Sequence, residues 1–185
     1  MNSSVETQAV ITVARLMALS ARTAPKGKGV DAITIAVVTG DELRELAGSM
    51  NAFGEENDLA FFIRDAKNVR ESDACVLIGS DVGSVVGINC GGCGFVTCAA
   101  MLEAQKETLK RDTPFKGYNC VVRMADLGIA VGSAAKTASI HNVDNRIMYT
   151  AGVGAIRLGW MPGCGVAYGI PLKASGKNIF FDRTR

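Results

Sequence analysis

The chain has 185 residues, 48% of them hydrophobic and 21% charged, with a net charge of +2. That composition builds a core and excludes a disordered chain, the small charge excludes nucleic acid as the expected partner, and no apolar run reaches membrane-spanning length. Six cysteines, behind an N-terminus without a secretory pattern in residues 1–8, point to a cytoplasmic protein whose thiols are metal ligands or reactive groups rather than disulfides.

Residues 5–21 are predicted to form a helix, with Val10, Val13, Ala14, Met17 and Ala18 as its apolar stripe. Pro25, Gly27 and Gly29 make residues 23–31 a loop. Arg22, Lys26 and Lys28 surround its glycine amides, a combination able to hold a phosphate or another anion, although a solvated basic loop has the same composition. Residues 33–38 are β-branched and short, as a buried strand is. Asp41 is the expected N-cap of a helix carrying Leu43, Leu46, Ala47 and Met50. A further helix over 58–69 turns Leu59, Phe62 and Ile63 inward, and 74–78 form a second core strand holding Cys75.

Residues 89–98 read Asn-Cys-Gly-Gly-Cys-Gly-Phe-Val-Thr-Cys. Cys90, Cys93 and Cys98 fall within ten residues, and Cys120 follows after a helical run and a turn. Four thiolates so arranged suit an iron–sulfur cluster, and the glycines let backbone amides approach sulfur. Phe95, Cys98, Met101, Leu102 and Leu109 recur at helical spacing from Gly94 onward, which puts Cys98 one turn into a helix on its buried face. Zinc is an alternative, although it normally takes paired cysteines in both halves of its site. A redox Cys-x-x-Cys would explain Cys90 and Cys93 alone, and four buried structural thiols are the remaining reading. Cys75 reads as a core residue. Cys164, between Gly163 and Gly165, reads as a free thiol or a substitute for Cys120.

Beyond a loop over 111–117, residues 120–124 are expected as a strand. Residues 125–139 and 143–158 are expected as two helices rich in small residues, the second capped by Asn142, packing closely within a subunit or across a dimer. His141, the single histidine, reads as structural, as do Asp126, Asp144 and Arg146. Residues 166–170 form a last strand and 171–185 a tail. Without an internal repeat or a boundary, the expectation is one α/β (α+β) domain over 1–185, with a mixed sheet flanked by helices and an iron–sulfur segment at about 88–122.

The segment Cys-Gly-Gly-Cys-Gly-Phe-x-x-Cys with its later cysteine resembles the [4Fe-4S] module of corrinoid iron–sulfur proteins and of ferredoxin-like subunits of membrane electron-transport complexes. That resemblance implies Cys90, Cys93, Cys98 and Cys120 as ligands. The chain as a whole resembles an uncharacterised prokaryotic family of ferredoxin domain-containing proteins, through residues 74–79, the cysteine loop, 126–134, 143–149, 169–172 and 175–178. Ala21-Arg22-Thr23-Ala24-Pro25 ahead of a β-branched strand, and residues 152–159 ahead of Ile170-Pro171-Leu172, are similar to nitroreductases, dimeric α+β flavoproteins. The arginine-rich approach to the flavin phosphate in that family has no counterpart in residues 1–7. The resemblances imply an electron-transfer protein with a [4Fe-4S] cluster, acting as a homodimer on a redox partner protein or a small molecule. They also leave an oxidoreductase with FMN near Arg22, Lys26 and Lys28, or a structural or sensory cluster.

Overall fold

A computed structural model describes residues 4–110 and 113–181. Arg111 and Asp112 of the expected loop, residues 1–3 and the tail end 182–185 lie outside the described residues. The elements run α1 (Val5–Thr23), β1 (Ile33–Thr39), α2 (Asp41–Glu56), α3 (Ala60–Glu71), β2 (Ala74–Asp81), α4 (Cys98–Thr108), α5 (Val121–Ile140), β3 (Asp144–Asn145), α6 (Tyr149–Arg157) and β4 (Cys164–Lys173). This is an α+β fold around a four-stranded sheet in the order β1-β2-β4-β3. The sheet is antiparallel throughout rather than mixed: Ile35 pairs with Ile78, Val76 with Ile170 and Asp144 with Lys173.

Strand β2 is central and buried along both faces up to Asp81. Alternation along a strand sends successive side chains to opposite faces. Ala74, Val76 and Ile78 therefore join Ile170 and Leu172 of β4 beneath α1 and α5, where Val10, Met17, Leu127, Ala130 and Ala134 meet them. Cys75, Leu77 and Ala167 face the other way, onto Leu46 and Met50 of α2, Val69 of α3, and Ala151 and Ala155 of α6.

The two small-residue helices consequently lie on opposite faces of the sheet and pack on different partners, not on each other. In α6 the small residues serve contact with the sheet and with α2, where a Cβ on Gly154 would stand 2.7 Å from Met50 Cγ. A Cβ on Gly152 would stand 1.8 Å from the Ala167 carbonyl oxygen, and one on Gly169 would stand 2.5 Å from the Ala151 Cβ.

Several boundaries depart from the sequence expectations. Residues 120–124 are not a strand; Cys120 is the N-cap of α5, whose helix begins at Val121. The expected helix over 143–158 is shortened because Asp144 and Asn145 pair with β4, so α6 begins only at Tyr149. Gly40, at φ 55°, occupies the N-cap of α2 in place of Asp41, and Glu42 accepts the Thr39 N–H. Ile63 is 42% exposed while Phe62 is fully buried, because α3 turns one face to Phe53 and Tyr149.

Candidate metal centre

Between β2 and α5 the chain leaves the sheet and carries four of the six cysteines, the last of them, Cys120, at the N-cap of α5. The excursion is fixed at several points by its own residues. Asn89 adopts φ 50°, a left-handed conformation that asparagine tolerates, and its Oδ1 accepts the Cys98 N–H at 2.9 Å. Gly91 and Gly94 take φ of 72° and 88°, and the Gly94 N–H bonds the Gly91 carbonyl to close the turn holding Cys93. Thr97 caps α4 by accepting the Ala100 N–H at 3.1 Å. Helix α4 therefore starts at Cys98 itself, a turn later than the apolar spacing implies, and Cys98 is half-buried at the helix end rather than set in a buried face.

Gly92 lies against the N-terminus of α5. A Cβ there would come within 2.6 Å of Val121 Cγ1 and 3.7 Å of Cys90 Sγ. The cysteine loop thus rests beside the residue that follows Cys120. Phe95 and Tyr118 meet edge to face, with ring centroids 4.9 Å apart. Buried Gln105 donates from Nε2 to the carbonyls of Val82 and Tyr118, which fastens α4 to the strand end and to the segment leading into Cys120.

These contacts bring Cys90, Cys93, Cys98 and Cys120 to the wall of one small cavity, closed from beneath by Met101. All four are free thiols; Cys90 is exposed, Cys93 and Cys98 half-buried and Cys120 buried. As the side chains stand, no three His, Cys, Asp or Glu among the described residues converge on a single metal-ion position; the four cysteines share the cavity wall. A donor set of four cysteines with glycine amides between them fits an iron–sulfur cluster. Burial alone would disfavour the Cys120 thiolate. Backbone N–H groups of Arg123, Val86 and Val122, with the Arg123 charge, outweigh that and hold its pKa below the ordinary thiol value.

The other two cysteines lie elsewhere. Cys75 is in the middle of β2, where burial pushes its pKa up to about 12. Cys164 begins β4 against Gly79, and burial raises its pKa, helped by the Asp81 charge and opposed by a hydrogen bond with Thr34. Neither lines the four-cysteine cavity.

The basic loop before β1 is largely committed to the fold. Arg22 Nη1 donates to Asp31 and to the Ile33 carbonyl. Lys26 Nζ donates to the carbonyls of Ala21, Arg22 and Ala24 and so closes the C-terminus of α1. Lys28, at φ 56°, is exposed. His141 caps the C-terminus of α5, Asp144 accepts from Asn178, and Arg146 donates to the Phe180 carbonyl. A separate cleft of about 550 Å³, which holds none of the cysteines, lies between α2, α6 and residues 113–116, with Phe53, Lys116 and Arg157 on its walls.

Sequence reasoning missed Arg123. It is 2% exposed, one turn beyond Cys120, and ion-paired with Asp126 at 2.9 Å. The available signal was a cation and an anion three residues apart in the otherwise apolar first turns of a helix, directly after a candidate ligand.

Residues 116–183 match the family described as uncharacterized protein containing a ferredoxin domain (DUF2148). A protein of Archaeoglobus fulgidus, described as uncharacterized, is 45% identical over 176 residues, 95% of this chain and 92% of that one. The chain belongs to this ferredoxin-domain family. Among solved structures, the fold of this family member is that of nitroreductases. A nitroreductase with bound FMN from Desulfitobacterium hafniense is 14% identical, with a TM-score of 0.54 over 96% of this chain and 80% of that one. The FMN-dependent nitroreductase NfnB of Mycobacterium smegmatis, in complex with NADPH, gives 11% and 0.55 over 89% and 78%. Nitroreductase A from Vibrio parahaemolyticus gives 12% and 0.52; this chain spans 59% of its length.

Proposed function

We propose that this ferredoxin-domain protein binds a [4Fe-4S] cluster through Cys90, Cys93, Cys98 and Cys120 and passes electrons to a partner. The observation that carries the reading is the meeting of those four cysteines, from two separate chain segments, around one cavity. When bound, such a cluster supplies one-electron storage, with its iron coordination closed by the four thiolates. The chain's own part is to hold and orient the sulfurs. Asn89 and Thr97 fix the start of α4 beneath Cys98, backbone N–H groups donate to Cys120, and Phe95 with Tyr118 covers one side. The N-terminus of α5 offers partial positive charge to an anionic group. The reading includes a cytoplasmic homodimer; no helix among the described residues is long and apolar enough to cross a membrane.

The test is anaerobic reconstitution followed by iron and acid-labile sulfide analysis and a visible spectrum. Wild type is expected to take up both with a broad absorbance. Cys90→Ser, Cys93→Ser, Cys98→Ser and Cys120→Ser each lose or degrade the cluster, because serine oxygen is a poorer ligand for these irons, while Cys75→Ser and Cys164→Ser retain it. Stoichiometric zinc without sulfide in wild type sinks the proposal.

The nitroreductase fold favours a second reading, an oxidoreductase in which the cluster feeds an FMN or a small substrate. It assigns the flavin phosphate to the loop of Arg22, Lys26 and Lys28, with Lys28 foremost because its side chain is exposed. Flavin bands in the same spectrum, lost when the three cations are replaced together by alanine, support it; a wild type that binds no FMN in either redox state removes it.

A further inference from the structure

The Arg123–Asp126 pair lies deeper than its contacts with the loop require. Arg123 Nη1 donates to the carbonyls of Gly27 at 3.3 Å and Val30 at 3.0 Å, and to Asp126 Oδ2 at 2.9 Å. Asp126 Oδ1 accepts the Gly27 N–H at 2.9 Å. Both side chains are almost wholly buried, at 2% and 6% exposure. Arg123 Nε has no hydrogen-bond partner among the described residues. A buried ion pair is weak support for stability against an apolar replacement, and a neutral donor would serve the two loop carbonyls. What neither alternative supplies is a permanent positive charge one turn from Cys120, whose sulfur accepts the backbone N–H of Arg123 itself.

We propose that Arg123 is a positioning residue for the metal centre, a buried cation that raises the reduction potential of a cluster held at Cys120, and that Asp126 limits the rise. The inference rests on the four-cysteine reading above. One electron arriving from an external one-electron donor adds one negative charge at the site. A fixed cation behind one ligand sulfur favours that added charge, and the carboxylate beyond it opposes it. Low exposure of both side chains keeps either effect from being screened by solvent ions. The same guanidinium, together with Asp126, holds residues 27–30, so the basic loop is tied to the helix that Cys120 caps.

The experiment is an anaerobic potentiometric titration with dithionite as electron donor, followed by electron paramagnetic resonance, on reconstituted full-length chains with matched iron and sulfide content. Arg123→Gln is expected to lower the midpoint potential and Asp126→Asn to raise it. Arg123→Lys, which keeps the charge, stays near wild type. The Asn variant retains an oxygen for the Gly27 N–H, so it reports even where Arg123→Gln does not fold. Midpoints that stay unmoved, or move together in one direction, in the variants that load overturn the tuning role while leaving the cluster reading intact. A wild type that takes up no iron and sulfide overturns both.

Discussion

At the scale of single residues, the chain keeps its charges close to backbone groups. Asp31 shows how. Burial disfavours its carboxylate, but hydrogen bonds from Arg22 and the Ile33 N–H, with the charges of Arg22 and Lys26, outweigh burial and lower its pKa. A carboxyl group with a lower pKa folded than unfolded stabilises the fold above its ordinary value, and the contribution is lost as the pH falls through the folded-state value. Asp31→Asn should therefore lower the melting temperature at pH 7. The loss is about 0.5 kcal/mol, because the pair is largely solvent-screened. Wild type and variant should melt alike near pH 2. A difference that persists in acid would show that packing, not charge, is what Asp31 provides.

At the scale of elements, much of the scaffold was legible. Strands at 33–38 and 74–78 and the helix after Asp41 follow from β-branched runs and a regular apolar stripe, and the structure has β1, β2 and α2 there. The misreadings have physical causes. Val121, Val122 and Met124 have the composition of a strand, yet a helix starts at Val121, because Arg123 and Asp126 one turn apart are held by the loop carbonyls and the Gly27 N–H. Short-range pattern carries no trace of a partner almost a hundred residues away. The four cysteines that line one cavity could be singled out from residue type and spacing; that Cys98 sits at a helix end was not legible, because Asn89 and Thr97 decide it. The small residues of α6 point to close helix packing, which Gly154 makes with α2, but the contact of Gly152 with the sheet was not legible. Gly152→Ala tests that contact. With the Ala167 carbonyl oxygen only 1.8 Å from the added Cβ, overpacking should cost about 3 kcal/mol, read as a melting temperature roughly 6–12 °C lower. An unchanged melting temperature would mean that α6 can lift from the sheet without loss.

At the scale of the whole molecule, the thiols divide into two populations. Cys90, Cys93, Cys98 and, buried at the N-cap of α5, Cys120 lie between β2 and α5, while Cys75 and Cys164 belong to the sheet. Brief alkylation of the reduced, metal-free chain should mark the first three, read by peptide mass spectrometry. Cys75 and Cys164 should stay unmarked until denaturant opens the sheet, since both are buried and ionise reluctantly. Reconstitution should then protect the first three. Early marking of Cys75 would mean that the sheet opens more readily than its burial implies. The same division governs the order of manufacture. The sheet and the helices packed on it take none of their strands from residues 82–120, so the chain can complete its scaffold with the cavity still empty. On the cluster reading proposed above, a cluster arriving afterwards would meet a cysteine loop that already rests on the end of α5, so little chain would be left to order. On that reading, loading and unloading would be events in the life of a finished protein, and an emptied chain would remain a vessel to be filled again.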